Sequence, residues 1–559
     1  MYGSARNRAL TVSAAALTLV LAACGSGEAF SIGTGAELAG RPSFNEQPYD
    51  NLRDGGTLTT PIRMLGPQLN AFHADATGDT LDVWEWYNPR LLTYTPAGGA
   101  EPNPDYLADV TAELAAGDTR VTYTLNPQAV FNDGTPIDWR AFEATWRANN
   151  GSDPRRETRS AEMFGRITSV TRGADDRQAV VTYDGVEAWW QRSFTTLLHP
   201  SATTVEAFNS GYLNRPRPEW GAGPYTVASV DMQAGNITFE RNPSWWGRPG
   251  KLDSRVLTVR DPQAAVNAFR NGELDATPAD GAEALSQARS VPEADIRVSG
   301  TPAVSLFTLN STAPVLQDPV VRRAVLEGID RNQIVEIAFQ GMDYTEDLPG
   351  SLIQQPYQPG YQDNLAEVLQ FDPAAARARL DAAGWAPGPD GIRAKDGLRL
   401  AVVQVSFGEN PTSRAVGMAL TAMMREIGVE LQIRQTPASE FATVLGERTF
   451  DLMLTGFEAE NPYGIASLCQ LYCSDGSLNL SGTGNSTLDA ELRAVAALPT
   501  PQDQIAAANE VERVALANYG VLPLGTGPTV WATRPGLANL GASLFARPLP
   551  ETVGWQVGS

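Results

Sequence analysis

Three kinds of apolar pattern succeed one another along this chain of 559 residues. The first is a short unbroken run. Arg6 and Arg8 precede Ala9 to Ala22, which hold no charge, and Ala23 and Cys24 follow. A charged start, a brief apolar stretch and small residues before a cut describe a secretory leader over 1–23. The run falls short of the roughly 20 residues that a membrane-crossing helix needs. A cysteine directly after Leu21-Ala22-Ala23 looks like a bacterial lipobox, in which cleavage leaves Cys24 for diacylglycerol attachment. The expectation is an extracytoplasmic chain, lipid-anchored to the outer face of the cell membrane. An ordinary leader with an incidental cysteine is the plain alternative.

Gly- and Pro-containing sequence over 24–54 reads as a flexible tether. From Gly55 the second pattern takes over. Alternating stretches such as Thr57-Leu58-Thr59, Val121-Thr122-Tyr123-Thr124-Leu125 and Ala179-Val180-Val181-Thr182-Tyr183 predict short strands separated by turns, as far as about Ser305. The third pattern mixes strands with helices. Leu398 to Val405 reads as a strand. Val416, Leu420, Met423, Met424 and Ile427 then share one face of a helix from Pro411 to Ile427. Gly428 is placed to end that helix, and Val429, Leu431 and Ile433 alternate as the next strand. The unit is βαβ, which implies parallel pairing and a right-handed crossover. Asp318-Pro319 and Asp372-Pro373 each put a capping residue before a proline suited to the first helical position. The sum is an α/β protein of two lobes.

Charge and cysteine content narrow the function. Lys plus Arg number 42 against 64 Asp plus Glu, a net charge of −22. Such a surface repels phosphate backbones, so no nucleic-acid partner is expected, and solubility is reason enough for the acidity. Besides Cys24 there are only Cys469 and Cys473. Outside the membrane a local disulfide is favoured, with free thiols and a zinc pair as rivals. Only His73 and His199 are present to support a metal or a histidine-activated nucleophile, so no metal or cofactor is expected. Enzyme signatures are absent: there is no Gly-x-Ser-x-Gly, no phosphate-binding glycine loop and no His-Glu-x-x-His. Gly221-Ala222-Gly223-Pro224 lacks a third glycine and reads as a tight turn. Aromatics are plentiful at Trp84, Trp86 and Tyr87, at Trp189-Trp190 and at Trp245-Trp246, and suit either a core or a concave ligand site.

Six motifs in order then resemble the family 5 extracellular solute-binding proteins, the oligopeptide, dipeptide and nickel receptors of ABC importers. They are Phe131-Asn132-Asp133-Gly134-Thr135-Pro136, Gly221-Ala222-Gly223-Pro224-Tyr225, Arg241-Asn242-Pro243-Ser244-Trp245-Trp246-Gly247, Asp318 to Ala324 with Ile329-Asp330-Arg331, Asp372-Pro373 to Ala383-Gly384-Trp385, and Phe450-Asp451-Leu452. Asn132 stands where the family has histidine, and Trp245 where it has tyrosine. The resemblance runs from about Gly56 to Pro523. It implies a two-lobed, periplasmic-binding-protein-like fold of type II in its large form. The first lobe would cover 55–304 with an extra subdomain at about 72–200, the second 305–520, and 521–559 would return to the first.

The same resemblance points to a site. In oligopeptide receptors a Gly-Trp-x-x-Asp segment follows the Phe-Asp strand, pairs with the peptide backbone and offsets its ammonium. Gly456, Phe457, Glu458 and Glu460 occupy the matching positions, with Glu460 as the carboxylate. Asn461 and Tyr463 are weaker candidates, and Trp84 and Trp86 are expected to face them from the other lobe. The implied role is non-catalytic capture of a peptide-like solute by a monomer, for delivery to an ABC permease and its ATPase subunits. A non-transport lipoprotein of the same fold, regulating mannosylated lipid assembly, is the alternative. An envelope hydrolase is a distant third.

Overall fold

The computed structural model describes residues 40–558 apart from Ser160, Gly408, Glu409 and Glu460. The leader over 1–23, Cys24 and Glu460 therefore lie outside the described residues. Two lobes are built on separate sheets. In the first, Thr57–Ile62 runs parallel to Ser254–Val259, which continues antiparallel into Asn236–Arg241 and Tyr225–Asp231. Its core gathers Leu58, Trp86, Tyr87, Phe239 and Leu257. Inserted into this lobe is an antiparallel sheet in the order Leu107–Ala115, Asp118–Leu125, Gln178–Tyr183, Ile167–Arg172. The two alternating stretches of the sequence are its central strands. Their inward residues Val121, Tyr123, Ala179 and Val181 are fully buried. The helix Trp139–Asn149, capped by Asp138, covers the sheet and packs Phe142 on Tyr123 and Phe194.

The second lobe holds a five-stranded sheet in the order Glu430–Thr436, Ala401–Phe407, Leu452–Glu458, Ala303–Leu309, Val521–Gly525. Its first two strands are parallel and joined through the helix Pro411–Glu426, and Gly428 adopts φ 81° just beyond that helix. Val416, Leu420, Met423, Met424 and Ile427 are all buried on the sheet. Asp318 and Asp372 cap the helices Pro319–Glu327 and Pro373–Ala382, each with proline in its first turn. Glu327, buried between them, accepts hydrogen bonds from Arg323 at 2.7 Å and from Arg379 at 3.0 Å.

Three expectations need correction. The stretch up to Asp54 is not all tether. Ser43 bridges Ala542, Phe44 is buried, and Leu52–Arg53 pairs with Gly554–Gln556. Neither Gly nor Pro content reveals a segment whose partner lies some 500 residues away. The return to the first lobe begins after 521, because Val521–Gly525 still belongs to the second-lobe sheet. The first lobe also contains helices that alternation does not suggest, among them Gly78–Tyr87 and Pro262–Asn271.

Two strand-to-strand crossings between the lobes lie side by side. Asp295–Gly300 passes through Thr301 and Pro302 into Ala303–Leu309, and Val521–Gly525 passes through Thr526 and Gly527 into Pro528–Thr533. Thr301 donates its N–H to the Gly527 carbonyl at 3.0 Å. Glu346 collects the N–H groups of Thr526 (2.9 Å) and Gly527 (3.2 Å) together with the Thr526 hydroxyl. A Cβ on Gly525 would stand 2.5 Å from a Glu346 oxygen, so a larger residue there would push that carboxylate away from its donors. Arg297, almost fully buried, ties Phe44 and Leu537 to the first-lobe end of the crossing through their carbonyls.

Candidate functional site

The helix Gly78–Tyr87 begins at a capping box between Thr77 and Thr80 and splits its residues between two environments. Trp86 stacks on Phe239 and meets Tyr225 edge-on, with the Arg255 guanidinium 4.9 Å from its ring. It is core and does not line the cleft, contrary to the position expected of it. Leu81, Trp84 and Glu85 face a cavity of about 520 Å³ that lies between the lobes. The Trp84 indole donates to Thr196 Oγ1 at 3.0 Å, and Phe72 and Tyr212 hold its ring. A volume of this order falls within the range of small-ligand sites, about 300–1,000 Å³.

From the second lobe the cavity receives Asn461 and Gln470. Tyr463 sits at its margin, with its ring between Tyr94 (5.9 Å) and Trp189 (5.5 Å) of the first lobe. Among the described residues, two hydrogen bonds also cross the cleft. Trp189 Nε1 donates to Gln504 at 2.7 Å, and Gln470 donates to Glu162 at 2.9 Å. Gln470 lies in the loop closed by the Cys469–Cys473 disulfide, whose Cα atoms are 4.7 Å apart.

Gly456, Phe457 and Glu458 end the strand Leu452–Glu458. That strand pairs with Ala303–Leu309 along its whole length, but with Ala401–Phe407 only at Leu452 and Met453. Beyond Met453 the neighbours diverge. Among the described residues, Leu454–Glu458 therefore has a strand partner on one side only. Phe457 leans on the second-lobe core, whereas Gly456 and Glu458 are exposed.

Sequence reasoning misses the charged lining. Arg90, Arg159, Arg192 and Arg547 face the cavity with Glu85 and Glu162. Arg547 bonds Glu85 at 2.7 Å. Burial by itself would raise the Glu85 carboxyl, but the Arg547 and Arg90 guanidiniums outweigh it and hold the group below its usual range. Arg90 spends its donors on the carbonyls of Pro548 and Arg547, fixing the returning C-terminal segment against the first lobe. These side chains come from four distant segments, and no spacing announces them.

Three of the sequence motifs have a structural purpose away from the cavity. Asn132 donates to the Pro218 carbonyl, and Asn242 donates to both Asn132 and the Gly223 carbonyl, at 2.7–2.8 Å. Gly221 and Gly223 lie so close to Tyr87 that a Cβ on either would meet its backbone at 2.4 and 2.9 Å. Among the described residues, two groups have metal-ligand spacing: Cys469, Cys473 and Asp475, and His73, Asp75 and Glu157. The two cysteines are joined to each other, and His73 Nδ1 already accepts the Asp75 N–H. No described helix is long and apolar enough to cross a membrane.

The family model for bacterial extracellular solute-binding proteins, family 5 (middle), matches residues 101–479. The chain belongs to this family. The oligopeptide-binding protein OppA of Mycobacterium tuberculosis (strain H37Rv) is 34% identical over 510 residues, covering 90% of this chain and 85% of that one. The probable monoacyl phosphatidylinositol tetramannoside-binding protein LpqW of the same organism is 30% identical over 373 residues, 60% of this chain and 56% of its own. Among solved structures, the periplasmic EDTA-binding protein EppA superposes with a TM-score of 0.81 at 21% identity, covering 94% of this chain and all of that one. The two-lobed α/β architecture expected from the motifs is thus that of family 5 solute-binding proteins, whose business is binding rather than catalysis.

Proposed function

We propose that this family 5 protein is the receptor of an ABC importer, capturing short peptide-like solutes between its lobes and presenting them to a permease. The observation that carries the reading is the one-sided strand Leu454–Glu458, which runs toward Asn461 at the cavity wall. An extended peptide added at such an edge gains main-chain hydrogen bonds that ignore side-chain identity. Likeness to OppA over nine-tenths of the chain supports the same class of ligand. Glu460, two residues past that strand, is the proposed partner of the ligand's ammonium. Glu460→Ala is expected to weaken peptide binding by about 2 kcal/mol, and an unchanged affinity for a verified peptide removes it from the site. Phe457, Asn461, Tyr463 and Trp84 complete the proposed contacts. Closure is a population shift, because a ligand that touches both lobes favours the state in which they meet. Attachment through Cys24 would keep the receptor beside its permease, as a monomer.

Likeness to LpqW supports a second reading, an envelope lipoprotein that binds a mannosylated lipid and does not transport. Native mass spectrometry of gently purified protein separates the two. Adducts that fragment as peptides support the importer receptor, and a glycolipid adduct supports the alternative.

A further inference from the structure

The charge of the cavity runs opposite to that of the molecule. The chain as a whole carries −22, yet among the described residues four arginines and two glutamates line the space between the lobes. Neither of these two glutamates stands ready for an incoming cation, which leaves that part to Glu460, the proposed partner of the ligand's ammonium. Glu85 is engaged by Arg547 at 2.7 Å, and Glu162 accepts from Gln470 across the cleft. Arg192 differs from the other basic groups. Arg90 is committed to backbone carbonyls and Arg547 to Glu85. The acid nearest Arg192 is Glu187, at 3.6 Å from Nε, beyond hydrogen-bond length, and Glu187 also faces Arg166 at 3.3 Å. The buried Nε of Arg192 has no hydrogen-bond acceptor among the described residues. A guanidinium at a cavity wall with donors to spare suits a carboxylate, which its planar fork can meet with two parallel bonds.

Resting on the receptor reading above, we infer that the cavity selects peptides of net negative charge, with Arg192 meeting a ligand carboxylate. Acidic side chains or a free C-terminus supply that carboxylate, and a lysine-bearing peptide meets an excess of like charge. Enclosure between the lobes leaves the preference little screened by solvent.

Calorimetric titration of ligand-stripped protein tests the inference, using tri- to hexapeptides that differ only in a central Glu, Ala or Lys, with citrate as a non-peptide polycarboxylate. The expected result is binding of Glu peptides at least tenfold tighter than Lys peptides, with Arg192→Gln shrinking that ratio several-fold. If the variant does not fold, ionic strength decides on the unaltered protein. Added salt should weaken the Glu peptide and narrow the gap to Lys. Lys peptides that bind as well as Glu peptides, or an Arg192→Gln variant that keeps the full ratio, overturn the inference and leave the receptor reading intact. Binding of citrate with no peptide bound upholds anion selection but removes the peptide. Silence from both citrate and acidic peptides overturns the inference.

Discussion

Trp189→Phe isolates one hydrogen bond that crosses the cleft. Phenylalanine keeps an aromatic ring beside Tyr463 but removes the donor that reaches Gln504 Oε1 at 2.7 Å. Gln504 cannot turn to find another. Its Nε2 is already bonded to the carbonyls of Ala496 (3.2 Å) and Leu498 (2.9 Å), and the residue is only 3% exposed. Its oxygen is thus left without a donor when the lobes meet, at a cost of about 1–3 kcal/mol. When the lobes part, water reaches the same oxygen and the cost vanishes. The whole penalty falls on the lobe-contact state, which is about 5- to 150-fold in the closure equilibrium and up to the same factor in apparent ligand affinity. Small-angle scattering of the unliganded protein should show a larger radius for the variant, and calorimetry a weaker ligand. Thermal unfolding should barely move, since neither lobe loses an internal contact. An unchanged radius together with an unchanged affinity would refute the idea that this bond holds the lobes together. An equal loss in folding stability would show instead that Trp189 belongs to a single cooperative core.

Further expectations concern stability. Glu551 is buried in the first lobe, and burial pushes its carboxyl up to about 7. Its folded pKa exceeds its unfolded one, so the stability linked to its proton is complete below about pH 4.5 and is lost as pH rises through 7, about 3 kcal/mol in all. Glu551→Gln should flatten denaturant-unfolding profiles between pH 5 and 8, and an identical slope in both proteins would exclude the residue as the source. Gly223→Ala places a methyl against the Tyr87 backbone and should lower the urea midpoint by the equivalent of about 2 kcal/mol. The Cys469–Cys473 bond closes a short loop worth about 2 kcal/mol of chain entropy. A Cys469→Ser, Cys473→Ser double variant should melt lower by that amount and bind ligand less tightly, because Gln470 reaches Glu162 from that loop.

Much of the second lobe could be read directly from the sequence, because its elements are local. The helix Pro411–Glu426 shows five apolar residues on one face and a glycine where it stops, and the Asp-Pro caps lie within one turn of what they cap. The first lobe hides its logic in distance. Thr57–Ile62 finds its parallel partner at Ser254–Val259, and Leu52–Arg53 finds one at Gly554–Gln556. The helix Gly78–Tyr87 escapes notice because it is buried on two sides. Trp84 and Trp86 point to different cores, and the two wants of burial blur any single apolar stripe. The site follows the same rule. Asn461 and the strand before it are readable from one contiguous motif, whereas Arg192 and Arg547 meet only after the chain has crossed between lobes and returned.

Both ends of the described chain are fastened to the same body. Ser43 to Arg53 and Leu537 to Gln556 are woven together on the first lobe, with Arg297 pinning both to the mouth of the crossings. A pull transmitted through Ser43 therefore enters the molecule at the first lobe, and reaches the second through the paired crossings and the contacts between the lobes. If Cys24 carries a lipid as proposed, the first lobe would be the jaw held at the membrane. Seen from the bench, a dye pair placed near Ser43 and Gln556 would report a constant distance however wide the cleft opened, and one label must sit on the second lobe to see the motion at all.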